Sequence, residues 1–211
     1  MRTQLKKEES NKTSKTKWKE FFEVKVLPIS IASGLLYIIY GGIVSFISLY
    51  AQEKGNVDLS GYFLGIMSIA LILSRPISGK IADRLNSLYV VYPGFIFSFM
   101  GVLFLGLTES ALTFQISALL IGLGFGFILP SLHATMLELV PNEKRGTATS
   151  TYFMGIDIGI SSGAIILGLI ANYIGYGLMY LSSVVFIFLS CIVYFKVEHQ
   201  KKMVQKSSLE V

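Results

Sequence analysis

A single cysteine, Cys191, stands among 211 residues. An intramolecular disulfide and a cysteine-based metal site within one chain are therefore excluded. Charge is scarce too. Charged residues make up 15% of the chain and hydrophobic residues 53%, an inversion of the balance in soluble domains. No segment repeats Arg or Lys at every third position, which excludes a voltage-sensing helix. Short loops leave no room for a soluble catalytic domain, so no enzyme activity is expected, and the sequence asks for no cofactor and no metal. The start has no apolar run behind its positive charge. It reads as a solvated arm, not a cleavable signal peptide.

What is present is length without charge. Uncharged runs cover 26–52, 59–74, 85–108 and 110–137, and a last one covers 146–195, broken only by Asp157. Roughly 20 apolar residues cross a bilayer as a helix. The last run would reach about 75 Å as one helix, so it must turn once. Asn172-Tyr173-Ile174-Gly175-Tyr176-Gly177 is the place, because Asn and Gly tolerate the left-handed backbone that ends helices. An all-α membrane protein of six transmembrane helices is predicted. Its basic leader is 1–24, its six-helix bundle 25–196 and its tail 197–211.

The basic residues sort by side. Eight precede Val26, three follow the second span (Arg75, Lys80, Arg84), two follow the fourth (Lys144, Arg145) and four lie in the tail, against Lys54 alone on the other side. Positive loops stay in the cytoplasm, which predicts a multi-pass protein of the cell membrane with both termini cytoplasmic. The net charge of +5 is explained by that bias, and no nucleic-acid partner is expected. Trp18, Phe21 and Phe22 among Lys17, Lys19 and Lys25 suit the lipid headgroup layer. The expected partners are the bilayer and a small-molecule substrate.

Helical spacing then sorts faces. Ser30, Ser33, Tyr37, Gly41, Val44 and Ser48 form one stripe of the first span, with Tyr40 at its edge. Hydroxyls and small residues suit helix contacts or a wet cavity over lipid. Gln115, Gly122, Gly126 and His133 share a face of the fourth span, and Pro130 is expected to kink it. Gly122 and Gly126 read either as close packing or as a substrate surface; His133 reads as an interfacial histidine or a proton relay. In the fifth span Gly155, Gly159 and Gly163 repeat every four residues and admit a neighbouring backbone. Asp157 is about 16 Å past Gly146 by helical rise. A carboxylate at that depth is costly, so it is either a proton-titrating group or bonded on a packed face. Gly159-Ile160-Ser161-Ser162-Gly163 and His133 raise an intramembrane serine protease, but their depths differ.

Ser74-Arg75-Pro76-Ile77-Ser78-Gly79-Lys80-Ile81-Ala82-Asp83-Arg84-Leu85 resembles the loop signature of the major facilitator superfamily. Gly79, Asp83 and Arg84 match its Gly, three residues, Asp-Arg core, while Asn86, Ser87 and Leu88 depart from its trailing glycine and basic residues. Pro141 to Ala148, with Arg145, looks like the later short cytoplasmic loop of each half. Gly155-Ile156-Asp157-Ile158-Gly159 and Gly163 look like the glycine-rich helix of drug-efflux members, without the proline usual there. The order is that of the C-terminal six helices, one half of a twelve-helix fold of three-plus-three inverted repeats.

The resemblance implies proton-coupled efflux of a small, partly apolar compound. Tyr37, Tyr40, Phe46, Gln115 and Phe125 would lie at the substrate cavity, with Asp157 in coupling. The second and fifth spans would form the seam to an N-terminal six-helix half or to a second copy of the chain. A truncated chain inactive alone is expected; a non-transporting structural or assembly subunit is the alternative.

Overall fold

The computed structural model describes residues 22–84 and 87–207, with side chains given except at 82–84, 87, 202 and 204–207. The regular elements among the described residues are all helices, and five are long and apolar enough to cross a membrane. A short 3-10 turn, Val24–Val26, leads into α1 (Leu27–Glu53). Then come α2 (Asp58–Arg84), α3 (Ser87–Gly106) and α4 (Ala111–Glu138). A second 3-10 turn, Asn142–Lys144, precedes α5 (Arg145–Ser207).

Local chemistry explains several ends. Pro28 sits in the first turn of α1, where its missing N–H removes only a donor that would be unpaired anyway. The Ser110 hydroxyl accepts from the Thr113 N–H at 3.2 Å, and Thr113 Oγ1 accepts from the Ser110 N–H, closing a capping box at the start of α4. Gly55 closes the α1–α2 turn at φ 85°, a backbone that side chains resist.

Inside α5, Gly175 has φ 79° and ψ 166° and is not helical. Contacts prove that the chain reverses there. Gly155 lies against Ser30 and Gly163 against Ile38 of α1, so the limb before Gly175 runs parallel to α1. Beyond the break, Gly177 lies beside Tyr50, and Ser190 Oγ donates to the Ala32 carbonyl at 2.7 Å. The second limb therefore runs back along α1. Residues 155 and 190 end up at the same level.

Two groups of packed helices result. α1 is clasped by both limbs of α5, through glycines on the first limb and the Ser190 and Tyr180 hydroxyls on the second. α4 lies between α2 and α3: Gly122 and Gly126 face Met67 and Ser74, while a Cβ on Gly124 would stand 2.6 Å from the Ser98 nitrogen. Aromatic rings join the groups. Tyr50 of α1 is 5.9 Å from Phe114 of α4 and 5.5 Å from Tyr180, and its hydroxyl donates to the Leu105 carbonyl at 3.0 Å.

Two expectations need correction. Arg75, Gly79 and Lys80 are not in a loop: they lie on the last turns of α2. A 27-residue helix is about 40 Å long, longer than the roughly 30 Å of hydrocarbon, so it continues past the point where charge becomes acceptable. The tail segment from 197 likewise continues the helix to Ser207. The glycine face of α5, expected at a seam with another half, is occupied by α1 of the same chain. The leader through Phe21, with Trp18, lies outside the described residues, as do the side chains of Asp83 and Arg84.

Candidate functional site

α1 brings one uncovered polar and aromatic face to the surface between α2, α4 and α5. Tyr37 and Tyr40 are half-buried there, with ring centroids 5.7 Å apart and edge to face. Tyr40 rests on Phe125 of α4 at 6.4 Å. Phe125 itself is fully buried, so it supports Tyr40 without being open to a ligand. Toward the Lys54 end the same face continues through exposed Val44 and Ser48. On α2, a Cβ on Gly61 or Gly65 would meet nothing within 4 Å among the described residues.

Two other cavity candidates are elsewhere. The Gln115 side-chain amide donates to the Leu59 carbonyl at 3.1 Å and ties α4 to the start of α2. Ten residues separate it from Phe125, about 15 Å along the helix. Phe46 packs on Tyr176 at 6.1 Å and over Gly168. Six residues from Tyr40, it points about 120° away around α1. Tyr37, Tyr40 and Phe125 come together; Phe46 and Gln115 do not join them.

Asp157 is exposed on α5, on the side turned from the glycine face. Both its chain neighbours, Ile156 and Ile158, are apolar, and Ile158 is 58% exposed. The His133 ring lies tilted against Tyr152, at 5.4 Å between centroids, and Phe153, at 6.3 Å, joining α4 to the first limb of α5. Ser161 is eight residues beyond Phe153, about 12 Å along the axis, and the Ser162 hydroxyl donates to the Gly159 carbonyl at 3.2 Å. No serine–histidine hydrogen bond forms among the described residues. Among the described residues, no group of three or more His, Cys, Asp and Glu side chains is placed to hold a metal.

The end bearing Arg75, Lys144 and Lys201 is laced by ion pairs. Lys144 Nζ donates to the Glu23 carboxylate at 2.9 Å, and the Glu23 N–H donates to Thr151 Oγ1 at 3.1 Å. The Lys144 hydrogen bond holds the Glu23 carboxyl below its ordinary value. Lys201 joins Glu138 of α4 to Glu198 on its own helix. Arg145, the first residue of α5, is exposed. Helical periodicity could not reveal the Glu23–Lys144 pair, because its partners are 121 positions apart.

Residues 2–164, and again 110–210, match the family model described as Major Facilitator Superfamily. The chain is 28% identical over 144 residues to an uncharacterized MFS-type transporter, YhhS, of Salmonella typhi, covering 68% of this chain and 35% of that protein. Its counterpart in Shigella flexneri is 27% identical over the same length. Among solved structures, a peptide transporter POT in complex with sulfate superposes with a TM-score of 0.71 at 20% identity, over 82% of this chain and 37% of that one. A POT family transporter in complex with a thioalcohol-conjugated peptide also gives 0.71, at 16% identity, over 81% and 37%. At such identities the likeness is one of fold. The chain spans about a third of the length of the curated relatives it matches.

Proposed function

The chain belongs to the Major Facilitator Superfamily, and we propose that it is the C-terminal six-helix half of a secondary transporter that exports a small, partly apolar compound. The two limbs of α5, reversing at Gly175, supply the fifth and sixth crossings. The basic end faces the cytoplasm of the cell and carries both termini. Within this reading the three-plus-three inverted repeats pair the first and fourth spans at the centre of the molecule.

One observation carries the proposal: Asp157 is exposed midway along an apolar limb. A carboxylate facing lipid costs a few kcal/mol on insertion scales. Its surface therefore suits water or protein. The half-exposed Tyr37 and Tyr40 and the open Gly61 and Gly65 lie on surfaces that a second six-helix body would cover. Closing it would form a central site with tyrosine rings for apolar contact and an acid for coupling to protons. Alternating access is the rocking of one half on the other around such a site, so the chain alone has a half-cavity and no gate.

Reconstitution tests this. Proteoliposomes holding the purified chain alone are expected to show no substrate flux under a proton gradient. Co-expression with an N-terminal six-helix half should restore it. Flux by the chain alone at protein levels that leave it monomeric overturns the half-transporter reading. A stable partner in native membranes that is not a transporter half would favour an assembly role.

A further inference from the structure

We infer that a groove between α1 and the first limb of α5 binds the acyl chain of an anionic glycerophospholipid, with its headgroup at the basic end of the bundle. The groove has a volume of about 250 Å³. Its floor exists because Gly34, Gly155 and Gly159 carry no side chains, and its rims are Leu27, Ile31, Met154 and Ile158. Polar ligands find nothing there. Its three hydroxyls are all turned into their own helices: Ser30 donates to the Val26 carbonyl, Thr151 to Thr147 and Ser162 to Gly159. The wall that remains is apolar.

Position argues for lipid over a protein partner. Ile31 is nine residues from Tyr40 and so lies on the opposite side of α1. On α1 the groove thus faces away from the Tyr37 and Tyr40 surface reserved above for a second half. From Leu27 to Ile38 it runs about 16 Å, one leaflet of a hydrocarbon core roughly 30 Å thick. Ile31 is 54% exposed and Met154 38%, as expected of rims that open outward.

Charge selects the headgroup. Lys25 lies two residues before the rim residue Leu27 and is exposed. The Glu23 bonds to Lys144 and Thr151 bring Lys144 to the same mouth, and Arg145 opens α5 beside it. Glu23 is already paired with Lys144, and Glu143 is the other acid nearby, so the mouth keeps a positive excess. A juxtamembrane Lys or Arg contributes about fivefold each to attraction for an anionic lipid surface.

The inference rests on the chain's residence in a bilayer but not on which end is cytoplasmic. The purified full chain is placed in nanodiscs of equal phosphatidylglycerol and phosphatidylcholine, where both leaflets are alike, then released and weighed by native mass spectrometry. One retained phosphatidylglycerol per chain is expected. Replacing Lys25 and Arg145 together by Ala, which leaves the packing intact, should cut the preference by roughly 25-fold from the fivefold per side chain above. Ile31→Trp or Met154→Trp should reduce retention of either lipid by filling the groove. Equal retention of the two lipids, a preference unmoved by the double Ala variant, or a dimer mass in place of a lipid adduct overturns it. Failed flux by the chain co-expressed with an N-terminal six-helix half, with phosphatidylglycerol still retained, would instead count only against the transport reading.

Discussion

Gly155 of α5 lies so near Ser30 of α1 that a Cβ added to it would stand 2.7 Å from the Ser30 carbonyl oxygen. The reciprocal position is as tight: a Cβ on Gly34 would stand 2.7 Å from the Gly155 carbonyl. Neither obstacle is a flexible side-chain tip. Both are main-chain groups already committed to their helices, so the two backbones can relieve a clash only by moving apart. The parallel pair of α1 and the first limb therefore behaves as one body, and the glycine repeat is its means of assembly.

Filling that seam should damage the bundle itself. Gly155→Leu or Gly159→Leu is expected to destabilise the chain by about 1–3 kcal/mol or more, the usual cost of overpacking. Gly61→Leu, on open surface, should stay within about 0.5 kcal/mol yet weaken association with a second half. Thermal unfolding in detergent, paired with co-purification, separates the two. A Gly159 variant that unfolds like the wild type would remove the seam from the account.

Gly175 supplies a second test. Its φ of 79° with ψ of 166° falls in a region almost restricted to glycine and costs other residues about 1–3 kcal/mol. Gly175→Ala should lower the unfolding temperature without touching any packed surface, because nothing lies within 4 Å of a Cβ there. Gly146→Ala, also facing open space but without a positive φ, should be neutral or mildly stabilising. Equal behaviour of the two variants would show that the reversal is not strained toward glycine.

The places where helices cross were legible because charge is so costly in hydrocarbon that its absence marks them. The reversal near Gly175 was legible for a related reason: a fifty-residue run with a single charge exceeds any bilayer. Ends were less so. Outside the hydrocarbon a helix needs no apolar pattern, and Arg75 to Arg84 and the segment from 197 continue helical without one. Partners were the least legible. Spacing showed that Gly155, Gly159 and Gly163 admit a backbone, but not that α1 provides it. Aromatic content likewise put Phe46 with Tyr40, though a 120° difference around α1 sends Phe46 to Tyr176.

The Glu23–Lys144 pair should make the entry to α1 sensitive to acid. A carboxyl held below its ordinary value of 4.5 contributes its bond fully above that pH, and the contribution fades as pH falls through the lower folded value. Between neutral pH and 5 the segment 22–26 should be protected from hydrogen exchange, with protection lost only as the pH falls below 4.5 and through the lower folded value. Glu23→Gln should show the lost protection at every pH. Because the lysine is 59% exposed, global stability should barely move. Protection that is unchanged in the variant would assign the docking to the Thr151 bond instead.

Asp157 gives the sharpest test of the transport reading. An amide has nearly the shape of a carboxylic acid but binds no proton in the relevant range. If Asp157 couples protons to export, Asp157→Asn in the two-half complex should abolish accumulation driven by a pH gradient while substrate exchange between compartments continues. If the residue merely bonds to a neighbouring helix, the amide can keep that bond, and gradient-driven transport should persist. Loss of assembly would be a third result, and co-purification of the halves detects it independently. Because Asp157 is exposed on this chain, stability of the isolated half should be unaffected, so a deficit confined to gradient-driven flux would come from the missing proton site alone.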